Sequence, residues 1–251
     1  MPDKLKIISL SVCRISFKES LEQVMRLALK KSPSYVCFAN VHMVIEAYND
    51  NSILYQVDNA DLVLPDGKPL AIACGMLYGK KQERISGMDF IPLLLEKANK
   101  NKFSIFVYGS TDNVIKAFKK KINTNYPAIQ FTGAISPPFR PLAEDEIMND
   151  IEKINRAGTH LVLVALGCPK QEKWMAENSS KINAVLLGVG GALPVVAGIQ
   201  KRAPRWMQNM ALEWLYRLMQ QPGRLFTRYL YTNSYFLFLL SRDYIKSLFK
   251  R

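Results

Sequence analysis

Continuous apolar runs alternate with amphipathic stretches through the first two thirds of the chain. "KLKIISLSV" reads as a strand. Ser16 and Glu19 then make the capping box of an amphipathic helix that runs to about Lys31. "SYVCFAN" is a second strand, with a helix from about Val41. "ADLVLP" is a third, and Pro69 suits the first turn of the helix behind it. "FIPLLLEKANK" is helical after the loop "RISGMD". "FSIFVYG" is a strand that leads to a helix near Asp112, "IQFTGA" is a short strand, and "PLAEDEIMNDIEKINRAG" is a helix that stops at Gly158. "HLVLVALG" and "AVLLGVGG" are strands on either side of the helix "KQEKWMAENSS". Strands that are apolar throughout, each followed by a helix, predict an α/β fold. Its sheet is mostly parallel and Rossmann-like, with helices on both faces.

Towards the C-terminus the pattern changes. "RWMQNMALEWLYRLMQQ" reads as one helix, broken at Pro222-Gly223, and "RLFTRYLYTNSYFLFLLSRDYIKSLFKR" as another; no strand follows. The expected division is an α/β catalytic domain over residues 1–197 and a helical appendage over residues 198–251. Charge sharpens this division. The chain carries a net +13, and ten of its 34 Lys and Arg lie in the appendage against two acids, Glu213 and Asp243. A basic, aromatic-rich tail calls for an anionic partner such as a phospholipid, a pyrophosphate or a nucleic acid. No recognised nucleic-acid module accompanies the pI of about 9.6, so no nucleic-acid partner is expected.

Cys13, Cys37, Cys74 and Cys168 form no C-x-x-C pair, and His42 and His160 are the only histidines. This predicts neither a zinc site nor a disulfide framework, and fits a reducing compartment. The N-terminus "MPDKLKIISL" lacks the layout of a signal peptide. The apolar stretch "YLYTNSYFLFLLSRDY" is cut short by Arg242 and Asp243, before it reaches the length of a membrane span.

Parallel sheets carry ligands at the carboxyl ends of their strands. Those ends offer Asn40, then Asp66 with Gly67, then Gly109 and Ser110, then "GCPKQE" with Gly167, Gln171 and Glu172, then Gly188, Gly190 and Gly191. Taken singly, each has a plain structural use. Asp-Gly makes turns, "GCPKQEKW" can be a helix start, and Arg84 can be a solvated loop charge. Their convergence on one edge is the stronger signal. "GVGGALPVVAG" does not complete a dinucleotide fingerprint. Leu193 stands where the third glycine belongs, and Lys201 and Arg202 lie near where an acid would be. There is no Walker A loop and no D-x-D pair, so no cofactor and no metal are expected.

In order and spacing, "ANVHM", "LPDGKPL", "RISGMD", "LGCPKQE", "GVGGALPVVAG" and "RAPRWMQNMALEWLYRLMQQPGRLFTRYL" resemble the WecG/TagA/CpsF glycosyltransferase family over nearly the whole chain. The resemblance implies an inverting, metal-independent transfer of a sugar from a UDP-sugar to a polyprenyl-diphosphate-linked saccharide. The sugar implied first is N-acetylmannosamine; N-acetylmannosaminuronic acid and glucose-type sugars are the alternatives. It implies a cytoplasmic protein, peripheral at the inner face of the membrane, and leaves room for a homo-oligomer. Residue by residue it implies Asp66 as base, with Asn40, Arg84 and Gln171 beside it, and Arg217, Arg224 and Arg228 on phosphate. Tyr108, Gly109, Ser110, Gly167, Glu172, Gly188, Gly190 and Gly191 are the expected substrate contacts. Two stretches depart from the family pattern: "CFAN" has Phe38 and Ala39 where a hydroxyl residue is common, and "QPGR" replaces "EPRR".

The chemistry agrees with a lone carboxylate. An inverting transfer needs one base for the acceptor hydroxyl. UDP leaves as an anion, and without a metal its charge falls to arginines and helix N-termini. Asp66 is expected to be ionised at neutral pH without special tuning. The aromatic, basic tail is expected to lie on an anionic membrane and to complete the acceptor site.

Overall fold

The computed structural model describes residues 2–249, and of Arg224 only the backbone. The tail cations Lys250 and Arg251 lie outside the described residues. The chain opens with an antiparallel hairpin, β1 (Lys4–Ile7) and β2 (Leu10–Cys13). This corrects the single strand expected from "KLKIISLSV". The turn is made by Ile8 at φ 58, a left-handed conformation that is rare for a β-branched residue and gives no turn signal in the sequence. It is held from outside. The Ser9 hydroxyl donates to the Val44 carbonyl at 2.7 Å, and Leu5, Ile7, Leu10 and Val12 are buried in the core.

Helix α1 (Phe17–Leu29) starts at the expected capping box, with Ser16 Oγ accepting from the Glu19 N–H and the Glu19 carboxylate accepting from the Ser16 N–H. Strand β3 (Ser34–Ala39) is followed by two helices, α2 (Val41–Asn49) and α3 (Asn51–Asp58). The break comes at Asp50, whose Oδ1 accepts from the Ser52 N–H at 2.7 Å and caps α3. Next come β4 (Leu62–Pro65), α4 (Lys68–Tyr78), α5 (Gly87–Lys100), β5 (Ser104–Gly109), α6 (Asp112–Asn125) and β6 (Gln130–Ile135). Then follow α7 (Glu144–Arg156), β7 (Leu161–Ala165), α8 (Lys170–Asn178), β8 (Val185–Gly188) and the short α9 (Ala192–Val196).

The six strands β3 to β8 form one all-parallel sheet in the order β4-β3-β8-β7-β5-β6. Side chains alternate between its faces. Tyr35, Cys37, Val162, Val164 and Leu186 join the core shared with α2, α3, α4, α7 and α8. Val36, Phe38, Leu161, Leu163 and Leu187 join the core under α1, α5 and α6. The connection from β5 runs outward to β6, and the one from β7 runs the opposite way to β8. Adjacent strands whose connections diverge open a crevice at their carboxyl ends.

The tail forms α10 (Arg205–Asn209), α11 (Glu213–Gln220) and α12 (Pro222–Leu248). The single helix expected before Pro222 is interrupted at Ala211, which has φ 64. Pro222 itself begins α12, where its missing N–H removes no helical hydrogen bond. Phe236, Leu239 and Leu240 of α12 sit in the same core as α2 and α4.

Candidate active site

The strand ends and the tail enclose a cleft of about 620 Å³. Asp66 sits directly after β4. Its N–H donates to the Ala39 carbonyl at 2.6 Å. Gly67 follows at φ +104, a conformation that favours glycine and lets the chain turn into α4. The Ser86 side chain hydrogen-bonds the Asp66 carboxylate and also N-caps α5 by accepting from the Met88 N–H. Burial pushes the Asp66 carboxyl up to about 6. The Ser86 bond opposes this, Glu213 adds to it, and Arg217 and Arg84 pull it back. The expectation of an untuned carboxylate is corrected: Asp66 titrates near the range in which a base is most useful.

Asn40 caps α2, its Oδ1 accepting from the Met43 N–H at 3.2 Å. Gln171, in the first turn of α8, ties three segments together. Its Oε1 accepts from the Gly167 N–H at 3.3 Å, and its Nε2 donates to the Gly188 carbonyl at 3.2 Å and to Glu172 Oε1 at 2.8 Å. A Cβ on Gly190 would approach Gln171 Oε1 to 3.0 Å, and one on Gly191 would run into the Arg217 guanidinium. The glycines therefore let Gln171 and Arg217 close on the β8 turn.

Asn40, Asp66, Arg84, Ser110, Gly167, Gln171, Gly188, Gly190, Gly191, Arg217 and Arg228 all line the cleft. Three expected contacts do not. Tyr108 is buried, stacked on Trp174 at 4.1 Å with its hydroxyl donating to Asp150 at 3.1 Å. Glu172 is buried beneath Gln171, and burial raises its pKa. Gly109, at φ +101, brings β5 against β7, and a Cβ there would meet the Ala165 carbonyl group at 2.7 Å. Gly109→Ala should therefore destabilise the fold by about 2–3 kcal/mol. Thermal unfolding reads this directly, and an unchanged melting temperature would contradict so close an approach. Arg224 begins α12 within its first turn, but the phosphate contact expected of it rests on a side chain outside those described.

Several cleft residues carried no assigned role in the sequence. His42 lines the wall and is held neutral by burial and by Arg228, its pKa lowered to about 4. Phe139 and Glu213 also line the cleft, as does Trp214, which had counted among the tail aromatics expected at the membrane. Arg84 is not a free cation: it pairs with Asp89 at 2.6 Å and with Glu213 at 3.2 Å. Glu213 had counted only as one of the tail's two acids, and no local pattern connects it to Arg84, 129 positions away.

Among the lining residues, Lys68, Arg84, Arg217 and Arg228 outnumber the carboxylates Asp66 and Glu213. Glu213 is held in ion pairs, so Asp66 is the lining carboxylate with freedom to take a proton. One base facing a cationic wall suits displacement of an anionic leaving group by a hydroxyl.

Comparison with known proteins identifies the family. One relative, the N-acetylglucosaminyldiphosphoundecaprenol N-acetyl-beta-D-mannosaminyltransferase of Bacillus subtilis (strain 168), is 33% identical over 225 residues, covering 88% of this chain and 84% of its own. The protein of the same name from Bacillus spizizenii (strain ATCC 23059 / NRRL B-14472 / W23) is 30% identical over 192 residues, covering 76% and 73%. The profile of the glycosyl transferase WecG/TagA/CpsF family matches residues 5–249, from the first strand to the end of the last helix. Matched over nearly its whole length, the chain is a glycosyltransferase and belongs to the WecG/TagA/CpsF family.

Proposed function

We propose that this enzyme transfers N-acetylmannosamine from UDP-N-acetylmannosamine to an N-acetylglucosamine unit carried on a polyprenyl diphosphate. The observation that carries the reading is Asp66, poised near pH 6 at the end of β4 and facing Arg84 and Arg217. The names of the two Bacillus relatives support the choice of sugar and acceptor.

In this reading Asp66 takes the proton of the acceptor hydroxyl as its oxygen attacks the anomeric carbon. The bond from that carbon to the UDP oxygen breaks, UDP departs as an anion, and the anomeric configuration inverts. Arg217 and Arg228 stabilise the departing or acceptor-borne diphosphate, and Arg84 contributes from its ion-paired position. Asn40 and Gln171 shape the donor site. Phe38, which lines the cleft, makes the donor worth testing against N-acetylmannosaminuronic acid and glucose-type sugars.

The lipid-borne acceptor requires contact with a bilayer. Among the described residues no helix is long and apolar enough to cross one. Helix α12 instead exposes Phe226, Leu230, Leu237, Phe238, Ile245 and Leu248. This supports peripheral attachment at the inner face of the cell membrane through an apolar helix face with flanking cations.

The test is turnover of a panel of UDP-sugars on a short-chain lipid-diphosphate acceptor, with and without excess EDTA. UDP-N-acetylmannosamine should be consumed at the same rate in both. Loss of activity in EDTA, restored by magnesium or manganese, would transfer the charge role from the arginines to a metal. No turnover of any donor would overturn the reading.

A further inference from the structure

Four charged side chains close a ring at the cleft wall. Arg84 Nη2 bonds Asp89 Oδ2 at 2.6 Å, and Arg84 Nη1 bonds Glu213 Oε2 at 3.2 Å. Arg202 Nη1 bonds Asp89 Oδ1 at 2.7 Å, and Arg202 Nε bonds Glu213 Oε1 at 3.2 Å. Each carboxylate therefore bridges both guanidinium groups, and each guanidinium bridges both carboxylates. Arg84 and Asp89 belong to the catalytic α/β unit, whereas Arg202 and Glu213 belong to the tail. The four side chains are only partly exposed, Glu213 least at 17%. Screening by water is weaker there than at an open surface, and a network of shared ion pairs resists loosening better than isolated pairs do.

Glu213 differs from Asp89 in what it touches next. It is the first residue of α11 and lines the cleft, with Trp214 beside it. One helical turn on, Arg217 lies over Gly191. The charges that act on Asp66 are those of Glu213, Arg217 and Arg84, with Ser86 hydrogen-bonding to it; Lys68 bonds the Asn209 carbonyl. Among the described residues, Glu213 is thus the tail carboxylate whose charge reaches the base, and it is held by two arginines.

We infer that Glu213 is a positioning residue for glycosyl transfer: it clamps the start of α11 to Arg84 and Arg202, and so presents Arg217 to the cleft opposite Asp66. The inference rests on the proposed reaction for its kinetic consequence but not for the clamp itself. With Glu213 in place, one negative charge offsets the two arginines that face Asp66, and the base stays basic. Without that charge, Arg84 and Arg217 act on Asp66 unopposed, and Arg217 loses its fixed approach.

The experiment compares wild type, Glu213→Gln and Glu213→Asp by two readouts. The first is limited trypsin cleavage around Lys201, Arg202 and Arg205, which needs no activity. The second is the pH dependence of kcat/KM on a short-chain acceptor. Glu213→Gln should be cleaved several-fold faster and lose at least about tenfold in kcat/KM. Its acid limb should move to lower pH by about half a unit. Glu213→Asp keeps the charge, so its acid limb should stay at the wild-type position even if the shorter side chain loosens the ring. A residue that merely packs would alter cleavage and leave the limb where it is, and that result would overturn the inference. So would a Glu213→Gln enzyme that matched wild type in both readouts. If Glu213→Gln does not fold, Arg202→Gln opens the same ring from the other side, and unchanged cleavage at Lys201 and Arg205 would overturn the clamp. A wild-type protein that transfers no sugar would remove the proposed reaction, while trypsin would still decide the clamp.

Discussion

Asp66→Asn should lower kcat by about 10²–10⁴-fold while UDP-sugar binding stays close to wild type. That range is the usual contribution of a positioned general base. Asparagine keeps the shape and the capacity to accept from Ser86 but cannot take a proton. The same substitution should make the protein more heat-stable at pH 7–8, and the sign follows from linkage. Burial holds the Asp66 carboxyl at about 6, above its ordinary value of about 3.9. The folded state therefore prefers the protonated form, and the ionised carboxylate costs stability at any pH above its folded pKa. That cost fades as pH falls from about 6 through 4 and is gone only below the unfolded pKa, by about pH 3, where both folded and unfolded chains are protonated. The variant should unfold at a higher temperature than wild type above pH 6, and the gap should shrink through pH 4 and close by about pH 3. Loss of activity together with a gain of stability separates a base from a turn residue. A substitution at a mere Asp-Gly turn would leave turnover near normal.

Replacing Phe226, Leu230, Phe238 and Ile245 together by glutamine should release the enzyme from anionic vesicles, with at least a 100-fold loss of partitioning. Each of the four is between 53% and 63% exposed and none lines the cleft, so the change leaves the core and the site intact. A buried apolar side chain contributes about 1.5–3 kcal/mol when it leaves water, so even partial insertion of four exceeds 100-fold. The remaining attachment should be electrostatic, about 1 kcal/mol per basic residue near the surface, and should vanish in high salt. Turnover on a soluble short-chain acceptor should survive, whereas turnover on a long-chain acceptor in vesicles should fall. Deleting residues 198–251 would be a poorer test, because Leu225, Phe236, Leu239 and Leu240 are buried and their loss would open the core. Vesicle pelleting that is unchanged in the fourfold variant would show that this face does something else.

Much of the fold can be read along the chain because fully buried parallel strands appear as unbroken apolar runs, and Asp66 stands where one of those runs stops. The misses have local or long-range causes. Ile8 turns the hairpin without glycine or asparagine, helped by Ser9 bonding to Val44. Ala211 interrupts the tail helix at a left-handed φ that nothing in "MALEW" advertises. Tyr108 is directed by strand alternation into the α2–α8 side of the core, away from the cleft. The shift at Asp66 needs burial, and burial is a tertiary fact. The ring through Arg84, Asp89, Arg202 and Glu213 joins residues up to 129 positions apart, beyond the reach of any periodicity or spacing argument.

The most direct test of Asp66 as the base is the pH dependence of kcat/KM for the wild-type enzyme on a short-chain acceptor. A base must be deprotonated to act, so the rate should rise with pH through a single limb near the Asp66 value of about 6 and then level off. The residual rate of Asp66→Asn should show no such limb. A wild-type profile that stays flat through pH 6, or a limb that persists unchanged in Asp66→Asn, would contradict the account.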